Sequence, residues 1–196
     1  AQRRLDAALP YAREMVRAIS AAVSMAAGPG HPLISQVDDR KRAAVLLIAA
    51  DRGLAGAYSS NIIREGERLN AFLVEQGIHP VHFLVGRKLV NYYRFRDRPT
   101  EGEYVGFTDQ PTTEAAKSIA VGLLASFLSD SLTEGGTDEI HIVYTHFLNM
   151  GRQEVRILRL LPIEVVEEVV GAGTEDELHV TGSFAVGPAA AAAAAA

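Results

Sequence analysis

The chain has 196 residues, 48% hydrophobic and 22% charged, with a formal net charge of -5 and no cysteine. The acidic balance argues against nucleic acid as a partner, because phosphate binding needs a basic surface, and the lack of cysteine excludes disulfides, thiol catalysis and cysteine-ligated metals. No apolar run approaches the roughly 20 residues of a bilayer helix, the charged opening segment does not read as a signal peptide, and the length suits one α/β domain with a sizeable core and an added element.

In the first segment Leu5, Leu9, Ala12, Val16, Ile19, Val23 and Ala26 recur at alternating steps of four and three. That is a heptad seam, and it predicts a coiled-coil helix over residues 1–28. Arg3, Arg4, Asp6, Arg13, Glu14 and Arg17 lie between the seam positions as a solvated face. Pro10 predicts a bend, since it removes a backbone donor and crowds the preceding turn. Gly28-Pro29-Gly30 ends the helix. About 27 residues at 1.5 Å per residue reach roughly 40 Å, longer than an ordinary helix of a small domain. A seam of this length calls for a partner helix, the alternative being the flank of its own domain.

Residues 29–188 read as the α/β domain. The connection 31–42 is polar and carries the cluster Asp38-Asp39-Arg40-Lys41-Arg42. Residues 43–50 (AAVLLIAA) form a short continuous apolar run, the pattern of a strand buried on both faces. Asp51-Arg52-Gly53-Leu54-Ala55-Gly56-Ala57-Tyr58 then predicts a tight turn into a helix over 58–77, capped by Ser59, Ser60 or Asn61. Ile62, Ile63, Leu69, Phe72 and Leu73 form its inward side, and Gly77 stops it. A second strand is predicted at 81–85 (VHFLV) up to Gly86, then a short basic and aromatic helix over 87–96. Residues 97–106 read as a loop with at most a short strand around Tyr104. A helix follows over 112–130, with Ala116, Ile119, Leu123 and Phe127 inward. Strands over 139–147 and 154–161 are joined by a hairpin loop containing Gly151. Residues 163–170 read as extended and acidic, and a short segment over 178–186 is ambiguous. The Ala189–Ala196 run is set apart as a stretch without side-chain identity, and carries no function. The order predicts a three-layer Rossmann-like α/β domain with a mainly parallel sheet and an antiparallel addition near its end, preceded by the long coiled-coil helix.

The Gly-rich turn is the feature closest to a site. A strand, a Gly-x-x-Gly turn and a helix N-terminus can hold pyrophosphate on free amides. Gly53 and Gly56 fall short of the full G-x-G-x-x-G pattern, and the second strand ends on Gly86-Arg87-Lys88 rather than on an acidic residue. An alternative function follows: a small NADP-binding domain of an oxidoreductase, with Arg87 or Lys88 meeting a phosphorylated ribose. The opposing reading is that the glycines allow a sharp turn and close helix–sheet packing. Among the six histidines, His141 and His146 are an odd number of positions apart on one strand. They point to opposite faces and cannot form one metal site from that strand alone; surface or hydrogen-bonded roles are expected. Acidic pairs such as Asp38-Asp39 and Glu167-Glu168 are expected to be solvated. With no nucleophile elbow and no Walker lysine motif, neither a catalytic residue, a cofactor site nor a metal site is assigned.

Asp51-Arg52-Gly53-Leu54-Ala55-Gly56, directly after an apolar strand, resembles the D-R-G-L-C-G signature of ATP synthase gamma subunits. Further pieces agree in order: RLDAALPY over residues 4–11, His31-Pro32-Leu33, Lys41-Arg42, Val85-Gly86-Arg87-Lys88, the NYYRFR text that resembles actinobacterial members, Tyr144 to Phe147, and RLLP over residues 159–162. The likeness covers roughly residues 2–170. Ala55 stands where the family has cysteine, residues 148–153 depart from the usual Met-Ser-Gln-rich text, and residues 171–187 match poorly. The basic first turns of the family's N-terminal helix and its C-terminal helix are not in this sequence. The resemblance implies a central rotor. The seam Leu5, Leu9, Ala12, Val16, Ile19, Val23 and Ala26 would be shaft, inside a ring of alpha and beta subunits. A foot including Tyr11 and Phe184 would meet the epsilon subunit and the membrane c ring. Asp51, Arg52, Gly53 and Gly56 would be a structural turn. It implies a peripheral place on the cytoplasmic face of the cell membrane, without membrane insertion, cofactor or catalysis in this chain.

Overall fold

A computed structural model describes residues 39–53, 56–132, 135–149 and 152–162. The predicted coiled-coil helix with its whole seam, Tyr11, Phe184, and the segments over 163–170 and 178–186 lie outside the described residues.

The apolar run after the charge cluster forms β1 (Arg42–Ile48), whose middle five residues are buried. Burial on both faces explains the absence of alternation in its sequence. It is followed by α1 (Tyr58–Glu75), β2 (His79–Val85), α2 (Arg87–Phe95), β3 (Gly102–Tyr104), α3 (Thr113–Leu128), β4 (Glu139–Asn149) and β5 (Arg152–Leu161). The strands make one five-stranded sheet in the order β3-β2-β1-β4-β5. β1 pairs in parallel with β2 and β4, and β2 with β3, while β5 runs antiparallel to β4. The mainly parallel sheet with an antiparallel addition is thus the one expected. The hairpin is tighter than expected, because both strands extend into its predicted loop as far as Asn149 and Arg152.

Alternate residues of β1 serve opposite layers. Ala43, Val45 and Leu47 pack with Ile62, Leu69 and Leu73 of α1 and with Leu89, Val90 and Tyr93 of α2. Ala44 and Leu46 join Phe83, Val85, Ile140 and Leu123 of α3 on the other face. The chain steps from β1 to β2 to β3 in one direction with α1 and α2 on one face. It then returns past β1 to β4 with α3 on the opposite face, as right-handed crossovers require. Close approach of α1 depends on Gly66, where a Cβ would lie 2.9 Å from Leu47 Cδ2.

Three local expectations are corrected. The N-cap of α1 is Ala57, with no side-chain cap; Ser60 Oγ instead donates to Ala57 O at 3.0 Å. Phe72 is 39% exposed, because the inward stripe runs through Ile62, Gly66, Leu69 and Leu73 and leaves Phe72 on the flank. Ala116 is exposed as well. α3 is apolar nearly all round, with Val121, Leu124 and Leu128 in water, so periodicity alone could not choose its buried side. The inward position missed there is Ser126. Its hydroxyl donates to Gly135 O at 2.5 Å and lies 3.1 Å from Thr137 Oγ1, tying α3 to the turn before β4.

Candidate functional site

Parallel strands place their following loops along one rim of the sheet, the usual ligand side of an open α/β fold. Asp51 stands on that rim, just past β1. Its Oδ1 accepts the Arg87 N–H at 3.0 Å, from the start of α2. Its Oδ2 accepts the Gly106 N–H at 2.9 Å, the Thr108 N–H at 3.0 Å and the Thr108 hydroxyl at 2.9 Å, from the loop after β3. The Thr108 Oγ1 in turn accepts the Asp51 N–H at 2.9 Å. One carboxylate therefore joins the exits of β1, β2 and β3. Burial pushes its pKa up, but the hydrogen bonds from Gly106, Thr108 and Arg87 outweigh burial and bring it down from 3.8 to about 2.

The neighbouring predicted residues have separate partners. Arg52 forms an exposed ion pair with Asp109 at 2.5 Å. Gly53 lies beside the Lys88 side chain, whose Nζ would be 3.4 Å from a Cβ at that position. Gly56 has a left-handed backbone with φ 55°, a conformation glycine adopts at little cost. Gly86 has φ 103°, and a Cβ there would lie 2.5 Å from Ala49 O. It lets the end of β2 meet the end of β1. The structure brings Gly53 and Lys88 together and leaves the Arg87 side chain exposed. The opening amides of α2, however, are engaged within the chain: Arg87 N–H on Asp51, and Lys88 N–H on Ala50 O at 3.2 Å. A phosphate at that helix start would compete with bonds already made.

The opposite rim holds polar groups that the sequence reading missed. Glu139 is 1% exposed. It accepts from Arg40 Nη1 at 2.8 Å and lies 3.0 Å from His141 Nε2. The approach to His141 is a close contact rather than an aligned hydrogen bond, and both ring nitrogens of His141 are buried with no hydrogen-bond partner. Burial raises the Glu139 pKa, but the His141 and Arg40 partners together hold it below its ordinary 4.5. His141 is thus buried beside the Glu139 carboxylate, not a surface group. His146 is half-buried on the other face of β4, in line with the odd spacing. Among the described residues, no group of three or more His, Cys, Asp or Glu side chains could hold a metal ion, and no helix is long and apolar enough to cross a membrane.

Comparison with known proteins identifies the family. The gamma chain of ATP synthase from Kineococcus radiotolerans is 52% identical over 169 residues, covering 86% of this chain and 55% of that protein. The Thermobifida fusca gamma chain is 47% identical over 167 residues, covering 85% of this chain and 54% of that protein. The chain spans about half the length of these curated relatives. A solved structure of the Tetrahymena thermophila mitochondrial ATP synthase central stalk and c ring aligns at 24% identity with a TM-score of 0.49, over 66% of this chain and 53% of that one. A family model described as ATP synthase matches residues 1–192. With a match of that extent, the chain belongs to the ATP synthase gamma chain family.

Proposed function

We propose that this protein is the central rotor of a proton-driven ATP synthase, passing rotation of a membrane c ring to the catalytic ring of alpha and beta subunits. The observation that carries this role is the family match over residues 1–192. Leu5, Leu9, Ala12, Val16, Ile19, Val23 and Ala26 are the shaft seam, and Tyr11 and Phe184 belong to the foot that meets the epsilon subunit and the c ring. The protein sits peripherally on the cytoplasmic face of the membrane. Its contribution is mechanical rather than catalytic: an asymmetric shaft favours a different conformation in each catalytic neighbour as it turns, so binding energy is redistributed among sites. It needs no cofactor for that. Asp51, Arg52, Gly53 and Gly56 form a structural corner, the role suited to a carboxylate whose oxygens are engaged by main-chain donors of the segments after β2 and β3.

The test uses the full-length protein assembled with its partner subunits. Val16→Asp with Ile19→Asp places two charges on the seam, and burying an unpaired charge is strongly unfavourable. Weakened assembly and lost coupled ATP synthesis, with the α/β body still folded by circular dichroism, are expected. Cooperative unfolding of the body by the same pair would contradict the shaft role. Micromolar NADPH binding abolished by Gly53→Val would support an oxidoreductase instead.

A further inference from the structure

The ionic cluster at the amino-terminal rim, built on the buried Glu139, has no part in the corner around Asp51, and it sits where the chain enters the sheet. Arg40, Lys41 and Arg42 are held by two consecutive residues at the start of β4. Asp138 Oδ2 accepts the Lys41 N–H at 2.7 Å and the Arg42 N–H at 3.0 Å, and Asp138 N–H donates to Arg42 O at 2.8 Å. Glu139, the next residue, holds the Arg40 guanidinium at 2.8 Å. From the other side, at the start of β2, His79 N–H donates to Lys41 O at 2.7 Å. Both strands that flank β1 therefore grip the same entry segment.

An ion pair that buries its carboxylate is a poor way to gain stability, because the desolvation it costs offsets much of the attraction; what it supplies is a fixed geometry. Here the fixed geometry is the path of the chain into β1. We propose that Asp138 and Glu139, acting on residues 40–42, form the torque-bearing joint between the segment ahead of residue 39 and the α/β body. The inference rests on the rotor role. Rotation passed between that segment and the sheet loads these contacts, and a side-chain clasp resists twisting at the strand entry. Glu139 and Asp138 are positioning residues, touching no substrate.

The experiment separates a clasp from a merely stabilising contact. Glu139→Gln removes the charge that Arg40 pairs with; pairing it with Arg40→Met removes both charges. Three quantities are read in the full-length protein and its assembled complex: thermal stability, hydrogen exchange at the Lys41 and Arg42 amides, and the ratio of ATP synthesis to ATP hydrolysis. Asp138 still accepts both amides, but without the Arg40–Glu139 tie beside it the strand entry opens more often, so both variants should exchange these two amides faster, by about tenfold for a loosening worth about 1.4 kcal/mol. The double variant should regain stability over the single one, yet still exchange fast and synthesise less ATP per ATP hydrolysed than the parent. Parental exchange and coupling in the double variant would overturn the joint. So would coupling losses that follow stability alone across both variants. Failure of the parent protein to support coupled synthesis would instead refute the rotor role, while the exchange rates would still show whether the clasp holds the strand entry.

Discussion

At the carboxyl-terminal rim Asp51, just past β1, collects main-chain N–H groups from the segments that follow β2 and β3. At the amino-terminal rim Glu139 collects side chains, Arg40 and His141, in a buried setting. Both rims are organised by a carboxylate, and both carboxylates have a lowered pKa. The difference lies in what each could lose. Main-chain donors stay in place when Asp51 changes, and most can turn to water on a partly open rim. Removing Glu139 takes the partner from a half-buried guanidinium and leaves a gap beside the buried His141 ring, so the amino rim is the more brittle of the two.

Substitutions can break or sharpen that contrast. The largest effect is expected from Gly86→Val, at the carboxyl rim but through the backbone. A β-branched residue at φ 103° with its Cβ 2.5 Å from Ala49 O should cost about 3–5 kcal/mol, combining backbone strain with overpacking. Glu139→Ala should cost about 3 kcal/mol by denaturant unfolding, the lower part of the range for breaking a buried pair, because Arg40 can reach solvent. Asp51→Asn should cost less, about 1–2 kcal/mol, since the amide oxygen still accepts part of the network. A larger loss at Asp51 than at Glu139 would reverse the ranking of the rims.

Near neutral pH the effects of titration are the smallest, and they grow only as the pH falls. His82 packs against Tyr93, with ring centroids 4.9 Å apart, and its Nε2 lies 3.1 Å from Asn70 Oδ1. Burial is the main cause of its pKa falling from 6.5 to about 4; the Arg98 charge adds to the fall and Glu67 opposes it. Between those values the unfolded chain binds more protons than the folded one, so stability is full above pH 6.5 and declines as pH falls toward 4. His82→Gln should flatten that window in thermal melts. Asp51 acts lower: its contribution is present above 3.8 and is lost as pH falls through about 2. The Asp51→Asn variant should therefore weaken the acid-limb dependence below pH 4, leaving the share of Glu139, and keep the His82 one.

The contrast also explains what the sequence revealed. The carboxyl rim was legible because Asp51, Gly53 and Gly56 are neighbours in the chain, and a local turn writes a local motif. The strand pattern was legible for the same reason, since burial of β1 on both faces depends on seven consecutive residues. The amino rim was not. Arg40 and Glu139 lie 99 positions apart, and neither the charge cluster before β1 nor a Glu opening β4 says that the two meet. Thr137, Asp138 and Glu139 after a Gly-Gly turn were the one faint signal, a polar run too short to be solvent-facing by composition. α3 was misjudged at Ala116 because an apolar helix offers several equivalent faces. Only the sheet, placing Leu123 over Ala44 and Leu46, selects one.

Rotation with the seam inside the catalytic ring is tested most directly by a reversible tether. In the full-length protein, with any native cysteine replaced, a single cysteine at Arg17, on the solvated face beside the seam, can be paired with one on the facing surface of a beta subunit. Disulfide formation should stop ATP hydrolysis, and reduction should restore it. Unchanged hydrolysis with the crosslink fully formed would contradict the rotor role.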